Sequence, residues 1–150
     1  MDSVRVVSWE NEATALRAIR MTVFVYEQHV PEALEWDEFD AVSVHVLVYN
    51  ADGQAVGTAR LLPDGHIGRM AVLKQWRGQG FGAALLQKLL QQLIQRHQPK
   101  AMLNAQTYAV PFYEKFGFQV CGEEFLDAGI PHVKMELLLK NIGCPGPNCS

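Results

Sequence analysis

Residues 66–97 contain the feature that most constrains the fold of this chain: an apolar run, a basic glycine-rich turn and an amphipathic helix in succession. The apolar run extends from Ile67 to Leu73, and the turn from Lys74 to Gly82. The free backbone N–H groups at the start of a helix, together with the helix dipole, attract an anion. Glycine lets the backbone approach such a ligand because it has no Cβ atom. The segment therefore predicts a strand, a phosphate-binding turn and a helix.

The charge distribution around this turn also indicates an anionic ligand. No acidic residue lies between Asp64 and Glu114, whereas six basic residues do: Arg69, Lys74, Arg77, Lys88, Arg96 and Lys100. The whole chain has a formal net charge of −3 at pH 7. A basic stretch in an acidic protein is informative because it marks the surface that an anion would approach.

Length and composition bound the class of protein. The chain has 150 residues, of which 49% are hydrophobic and 19% charged, values typical of a soluble globular protein. No apolar run approaches the roughly 18 residues that a membrane span needs, and the first residues lack the pattern of a signal peptide. We therefore expect a cytoplasmic protein with neither a membrane nor a nucleic-acid partner, and a single domain over residues 1–141.

The three cysteines give little sign of a metal site. Cys121 stands in an apolar run, which predicts a small core residue. Cys144 and Cys149 lie in residues 142–150, a Pro- and Gly-containing segment that we interpret as a flexible C-terminal tail. Two thiols provide too few ligands for zinc, so no metal is expected.

Hydrophobic periodicity predicts a mixed α/β sheet. Strands are predicted at 4–8, 42–49, 55–62, 66–73, 101–105, 118–121 and 133–139. Helices are predicted at 12–27 with Asn11 as the N-cap, from Phe81 onwards and at 111–116, with a short helix or ordered loop at 32–40. The strands from 42 to 73 form an antiparallel meander, and the next helix crosses over to a parallel strand. The expected fold has about seven strands and about four helices.

Two other classes of phosphate-binding protein fit the sequence less well. Residues Gly78-x-Gly80-x-x-Ala83 match the dinucleotide fingerprint, but that fingerprint needs an acidic residue about 20 positions later to bind the ribose. None occurs before Glu114. The chain contains no G-x-x-x-x-G-K-[ST] motif, so nucleoside triphosphate hydrolysis has no support.

The turn and a second motif resemble the GNAT superfamily of N-acetyltransferases. Residues 77–82, RGQGFG, fit the pattern [RQ]-x-x-G-x-[GA] of its acetyl-CoA pyrophosphate loop. Residues 109–118, AVPFYEKFGF, are similar to its A-x-x-[LF]-Y-E-K-x-G-F signature. Further segments are similar to the ElaA-like subgroup, at 24–31, 35–40, 67–69, 104–106 and 129–132. The resemblance covers nearly the whole chain and implies the GNAT acyl-CoA N-acyltransferase fold.

The resemblance implies a set of residues that bind acetyl-CoA as a co-substrate. The pyrophosphate is expected on the backbone of Arg77, Gly78, Gln79, Gly80, Phe81, Gly82 and Ala83, with Lys74 as a further cation. The pantetheine arm is expected along Met70, Ala71 and Val72, and the remaining contacts are Gln106 and Tyr113. The superfamily often has Asn where this chain has Gln106, so the amide is kept while its contact stays open.

Direct acetyl transfer needs a proton donor for the leaving thiolate and a base for the incoming ammonium. The resemblance implies Tyr113 as the general acid. The base is open among Glu27, His45, His66 and His132. Glu27 is preferred because it ends the helix that borders the acceptor site in this superfamily. The predicted acceptor contacts are Glu27, Gln28 and His132.

The expected activity is transfer of the acetyl group from acetyl-CoA to a primary amine of a small molecule, in a ternary complex. Two alternatives stay open: an acyl-CoA-binding sensor or partner module without turnover, and acetylation of protein lysines or N-termini. Segment 32–40 carries five acidic residues, which either attract a cationic amine or form a solvated surface. A homodimer is expected by analogy with the superfamily.

Overall fold

The computed structural model describes residues 3–139, and within them it confirms the predicted mixed α/β sheet. The strands are β1 (Val4–Val7), β2 (Val44–Tyr49), β3 (Ala55–Leu61), β4 (His66–Val72), β5 (Lys100–Gln106), β6 (Gln119–Val120), β7 (Phe125–Asp127) and β8 (Ile130–Leu138). The helices are α1 (Trp9–Arg20), α2 (Glu32–Glu35), α3 (Phe81–Gln95) and α4 (Val110–Glu114). A π-helical segment, Met21–Glu27, continues α1, and short 3₁₀ turns occupy Lys74–Trp76 and Thr107–Ala109. The predicted tail with Cys144 and Cys149 lies outside the described residues.

The strands form one sheet in the order β1-β2-β3-β4-β5-β8-β6, with β7 also paired to β8. Strands β2, β3 and β4 form the predicted antiparallel meander, and β4 and β5 are parallel across the α3 crossover. This parallel pairing joins only His66 to Met102 and Ile67 to Leu103. Beyond these pairs the two strands diverge, and a gap opens in the sheet.

A β-bulge in β4 lies beside this gap. Thr58 stands opposite Ala71 and Arg60 opposite Gly68, so two residues of β4, Arg69 and Met70, oppose one residue of β3. Arg69 has a φ of +48°, in the left-handed region that few residues other than glycine adopt. A bulge bends its strand and increases the local twist. The bulge therefore turns the second half of β4 away from β5.

Helices α1 and α3 cover opposite faces of the sheet. The buried leucines of α3 are Leu85, Leu86, Leu89, Leu90 and Leu93, as its amphipathic pattern predicts. They share a core with Val46 and Val48 of β2, whereas Leu47 packs with Leu16 and Ile19 of α1. Successive residues of a strand point to opposite faces, which explains this division. None of the described helices is long and apolar enough to cross a membrane.

Three local predictions are wrong. The N-cap of α1 is Ser8, whose Oγ accepts a hydrogen bond from the backbone N–H of Asn11 at 3.1 Å; Asn11 lies inside the helix. Cys121 is exposed, because β6 is a two-residue edge strand with both residues exposed. Residues 125–127 form a strand that the hydrophobic periodicity did not predict, and it pairs with β8 across a two-residue turn, Ala128 and Gly129.

Candidate active site

A cavity of about 440 Å³ lies at the gap between β4 and β5. Gly68, Arg69 and Met70 of the bulged strand line one side of it, and Gln106, at the end of β5, lies across the gap. Tyr113 of α4 contributes a wall. The end of the π-helical segment and the β7–β8 hairpin close the remaining sides with Gln28 and His132, among other residues. Five segments of the chain therefore meet at one site.

Tyr113 brings a buried phenol to the cavity. Its side chain is 9% exposed and is packed edge-on against Phe112 and Phe118, with ring centroids 5.1 and 5.9 Å away. The hydroxyl donates a weak hydrogen bond of 3.6 Å to the sulfur of Met70. Burial raises the pKa of Tyr113 to about 12, so the phenol keeps its proton throughout the physiological range. The side chain can act as a proton or hydrogen-bond donor.

The turn between β4 and α3 presents free backbone donors. Gly80 is the N-cap of α3 and provides no side-chain cap. The N–H groups of the first helical turn, at Phe81, Gly82 and Ala83, have no partner within the helix. Gly78 and Gly80 have φ values of +75° and +90°, which require glycine. The turn is built so that an external acceptor can complete the helix end.

The Arg77 side chain is held by an ion pair that the sequence did not predict. Its two terminal nitrogens each lie 2.7 Å from an oxygen of Glu27, and its Nε donates to the carbonyl of Val72 at 2.8 Å. These hydrogen bonds lower the pKa of Glu27 and raise that of Arg77. Glu27 is also absent from the described residues that line the cavity. Both findings disfavour Glu27 as the general base, because a carboxylate of low pKa bound to a cation is a poor proton acceptor.

Two predicted polar residues contact each other across the cavity. The side-chain N–H of Gln106 donates to the side-chain oxygen of Gln28 at 2.9 Å. Gln28 follows the π-helical segment and Gln106 ends β5, so the bond connects the first helical layer to the gap in the sheet. The two amides therefore form a polar bridge between the sides of the cavity.

The three predicted histidines have different surroundings. His45 is fully buried with Nε2 2.8 Å from the carbonyl oxygen of Asp40, and burial lowers its pKa. Among the described residues, His45 does not line the cavity. His66 lines the cavity where β4 and β5 are still paired. Its Nδ1 lies 2.9 Å from a carboxylate oxygen of Asp64, but that oxygen is not aligned with a ring N–H, so the contact is not a hydrogen bond. His132 also lines the cavity, and its Nδ1 lies 2.7 Å from the carbonyl oxygen of Ile130.

A ring of ion pairs borders the cavity through Glu35, Arg60 and Arg69. Three arginines and three acids alternate in a closed circuit, which we call the ion-pair ring: Arg20, Glu35, Arg69, Asp37, Arg60 and Asp40. Neighbouring atoms in it are 2.7 to 3.3 Å apart. Three of the five acids of segment 32–40 are therefore paired with arginines, whereas Glu32 and Glu38 are exposed.

Burial and pairing shift the acids of the ion-pair ring in opposite directions. Burial raises the pKa of Glu35, and the field of Arg69 offsets this only in part. Burial also opposes ionisation of Asp40, but hydrogen bonds from Arg20 and Arg60 outweigh it and lower its pKa. Sequence reasoning missed this ring because its arginines lie in three different elements, with no local signal that they converge.

Comparison with known proteins gives consistent matches over most of the chain. The family profile described as an acetyltransferase (GNAT) domain matches residues 10–139. The uncharacterized N-acetyltransferase YjcF of Bacillus subtilis is 43% identical over 121 residues, covering 78% of this chain and 86% of YjcF. An acyl-CoA N-acyltransferase from Pseudomonas aeruginosa superposes with a TM-score of 0.78 at 31% identity, covering 89% and 97% of the two chains. Escherichia coli ElaA superposes with a TM-score of 0.79 at 29% identity, covering 91% and 99%.

Proposed function

This chain belongs to the GNAT acetyltransferase family, and on that premise we propose that it transfers the acetyl group of acetyl-CoA to the primary amine of a small molecule. The family match covers residues 10–139, and the ElaA likeness confirms the subgroup indicated by the sequence. Acyltransferase activity follows from the family. The acetyl donor, the acceptor class and the individual steps constitute the proposal.

The observation that carries the proposal is the combination of a buried phenol and unpaired strand backbone in one cavity. Tyr113 and the bulged residues Gly68 to Met70 all line it. Backbone N–H groups next to a bulge are free to bind a substrate carbonyl, because the partner strand has diverged. A volume of about 440 Å³ lies within the range of small-molecule sites, which favours a small acceptor over a protein surface.

Acetyl-CoA binds this site from the glycine turn. The pyrophosphate completes the end of α3 by accepting from the N–H groups of Phe81, Gly82 and Ala83, and Gly78 and Gly80 allow its close approach. The pantetheine arm follows Met70, Ala71 and Val72 of β4, on the side that faces the gap. In this arrangement the thioester reaches the part of the cavity where Tyr113 lies.

Acetyl transfer then proceeds by direct attack of the amine nitrogen on the thioester carbon. The carbonyl oxygen becomes negatively charged, and a backbone N–H of β4 stabilises it. The C–S bond breaks as the new C–N bond is retained, and Tyr113 donates to the leaving sulfur. A thiol has a pKa of roughly 8.5, so a phenol with a pKa of about 12 acts first as a hydrogen-bond donor. The cation that develops on the attacking amine lowers the phenol pKa and so favours complete proton transfer.

A thiol-release screen tests the function. The protein is mixed with acetyl-CoA and with primary alkylamines, arylalkylamines, amino acids or lysine-containing peptides, and free thiol is measured. Release with small amines and not with peptides is expected. Release with peptides alone would assign a protein acceptor. Binding of acetyl-CoA by calorimetry, without release in any mixture, would assign a module without turnover.

Gly80→Asp tests the phosphate-binding turn separately. The substitution is expected to abolish acetyl-CoA binding in calorimetry, because it adds a carboxylate beside the pyrophosphate. Gly53→Asp is the matched control: Gly53 also has a positive φ, +80° against +90°, and within residues 3–139 neither glycine has a heavy atom within 4 Å of an added Cβ. The backbone strain is therefore similar in the two variants. Equal acetyl-CoA affinity in both would contradict the assignment of the turn.

A further inference from the structure

We propose that His132 is the general base that removes the proton from the attacking amine. The proposal rests on the N-acetyltransferase function proposed above. An alkylammonium has no lone pair, so the acceptor must lose a proton before or during its attack. A base for this step must have an available lone pair in the cavity and must not be neutralised by a neighbouring cation.

The β7–β8 hairpin fixes the His132 ring. Its two-residue turn, Ala128 and Gly129, has φ values of +52° and +78°, and pairing places Phe125 opposite His132. The rings of Phe125 and His132 are stacked, with centroids 5.9 Å apart and an interplanar angle of 24°. On its other side β8 pairs with β5, so that His132 stands opposite Gln106 at the diverging end of the gap. Stacking on Phe125 therefore restricts the orientation of the ring.

A single contact determines the tautomer of the ring. The Nδ1 atom of His132 lies 2.7 Å from the carbonyl oxygen of Ile130, and a carbonyl oxygen can only accept. Nδ1 therefore carries the hydrogen and donates a hydrogen bond to this carbonyl oxygen. In the neutral ring the lone pair is then on Nε2, which is the form that a general base requires.

The Nε2 atom of His132 is free to receive a proton. Among residues 3–139 it has no hydrogen-bond partner. The Nε2 atom is nevertheless accessible to solvent, although His132 as a whole is only 9% exposed. Since His132 lines the cavity that also contains Tyr113 and Met70, Nε2 is reached from that cavity.

The other predicted bases lack one of these properties. The carboxylate of Glu27 is occupied by Arg77, and the Nε2 of His45 is occupied by the carbonyl of Asp40 in the core. His66 lies in the paired part of β4, away from the diverging end. The remaining titratable or charged groups that line the cavity are Glu35, Arg60, Arg69, Tyr108, Tyr113 and Asp127. Of these, Glu35, Arg60 and Arg69 belong to the ion-pair ring, the tyrosines carry hydroxyl groups that donate hydrogen bonds, and Asp127 is exposed at the end of β7.

The proton balance closes with these two residues. The ammonium gives one proton to Nε2 of His132, and the free amine nitrogen then forms a bond to the acetyl carbon. As the C–S bond breaks, the sulfur receives the proton of Tyr113, and the new amide nitrogen gives its surplus proton to the tyrosinate. The products are the amide, free CoA and an imidazolium, and proton exchange with solvent restores His132 for the next turnover.

His132→Gln tests the proposal. His97→Gln, at an exposed histidine outside the cavity lining, is the control, and His66→Gln tests the rival base in the cavity. The acceptor is the amine that gives the fastest thiol release in the screen, and kcat is measured at saturating acceptor from pH 5.5 to 9.5, because kcat reports the groups of the enzyme–substrate complex and not the ionisation of the free amine. We expect His132→Gln to lower kcat roughly 10²- to 10⁴-fold at pH 7 and to remove the fall in rate at acid pH. Acetyl-CoA affinity should be unchanged, and His97→Gln should retain the wild-type profile. An unchanged acid limb in His132→Gln, or its loss in His66→Gln instead, would overturn the assignment.

A second measurement examines His132 without an acceptor. Diethyl pyrocarbonate modifies neutral, accessible imidazole nitrogens, and peptide mass spectrometry locates the product on the folded protein. His132 is expected to react at pH 7, with the exposed His97 as the reference. An unreactive His132 beside a modified His97 would overturn the proposal. If the wild-type protein transfers acetyl to no amine, the proposed function fails, whereas this measurement still decides whether the lone pair is available.

Discussion

Replacing Arg20 by methionine tests the ion-pair ring that borders the cavity. Arg20 is 1% exposed, and its guanidinium lies 2.7 Å from both Glu35 and Asp40. It also donates to the backbone carbonyl of Glu35 at 2.7 Å. Methionine fills much of the same space without the charge. The variant therefore leaves two carboxylates, 2% and 3% exposed, short of one buried cation.

The expected loss of stability is large. Removing one partner of a buried ion pair typically costs about 3–5 kcal/mol, because the remaining charge stays desolvated. Here each of two acids loses one arginine partner and keeps another. Arg69 still pairs with Glu35, and Arg60 still pairs with Asp40. We therefore expect about 3–5 kcal/mol, a large part of the roughly 5–15 kcal/mol that stabilises an ordinary domain.

The pH dependence of the loss gives an independent check. Without Arg20, the pKa of Glu35, which burial already raises, rises further, and the pKa of Asp40 rises from its lowered value. The folded variant then binds more protons than the folded wild type, so part of the lost stability returns as the pH falls. In the wild type, the lowered pKa of Asp40 has the opposite effect: its contribution is lost as the pH falls through the folded-state value. The difference in stability between the two proteins should therefore shrink toward pH 4.

Urea unfolding at pH 7 and at several lower pH values measures both effects. Arg17→Met is the matched control. Arg17 lies on the same helix and is exposed, and its guanidinium lies over the indoles of Trp9 and Trp36, as that of Arg20 does. It should cost less than about 1 kcal/mol. Adding Asp40→Asn to the Arg20→Met variant should cost less than it does in the wild type, because Asp40 has then already lost one of its two arginine partners. Equal losses in the Arg20 and Arg17 variants, or a difference that does not depend on pH, would refute the reasoning.

Two further predictions concern the general acid and the sheet. Tyr113→Phe should lower turnover with little change in acetyl-CoA affinity, because it removes only the hydroxyl that donates to the leaving sulfur; wild-type turnover on the amine from the screen would contradict this. Gly57→Ala should lower the free energy of unfolding by about 1–3 kcal/mol, since the added Cβ would lie 2.8 Å from Val48 and 3.1 Å from the Ala71 carbonyl oxygen. Gly68→Ala, where nothing lies within 4 Å of the added atom, is its control and should cost less in urea unfolding.

The parts of the fold that local sequence patterns encode could be predicted. The alternation in β2 and the leucine face of α3 correspond directly to burial in the structure, because each side chain meets the core at a fixed period. The start of α1 shows the limit of such reasoning. Ser8 and Asn11 are both good N-caps, and the choice between them depends on where the strand β1 ends. Strand β7 was missed for a similar reason, since three exposed residues carry no hydrophobic pattern.

The parts that depend on distant residues could not be predicted. The bulge at Arg69 and Met70 requires an arginine at positive φ, which no local propensity indicates. The ion-pair ring joins Arg20 to Glu35 and Asp40, which are 15 and 20 residues further along the chain. The motif residues fare better: Met70, Gln106 and Tyr113 all line the cavity, although their roles stay predictions.

The pairing of Arg77 with Glu27 changes how the glycine turn is expected to hold a phosphate. Both terminal nitrogens of this arginine already bind a carboxylate, and its Nε binds the carbonyl of Val72. Its charge is thus largely neutralised before any ligand arrives. The backbone N–H groups at the start of α3 remain, and their arrangement depends on Gly78 and Gly80. We infer that Arg77 contributes mainly by connecting the π-helical segment to the turn, and that the glycines, through the backbone they permit, provide the phosphate contacts.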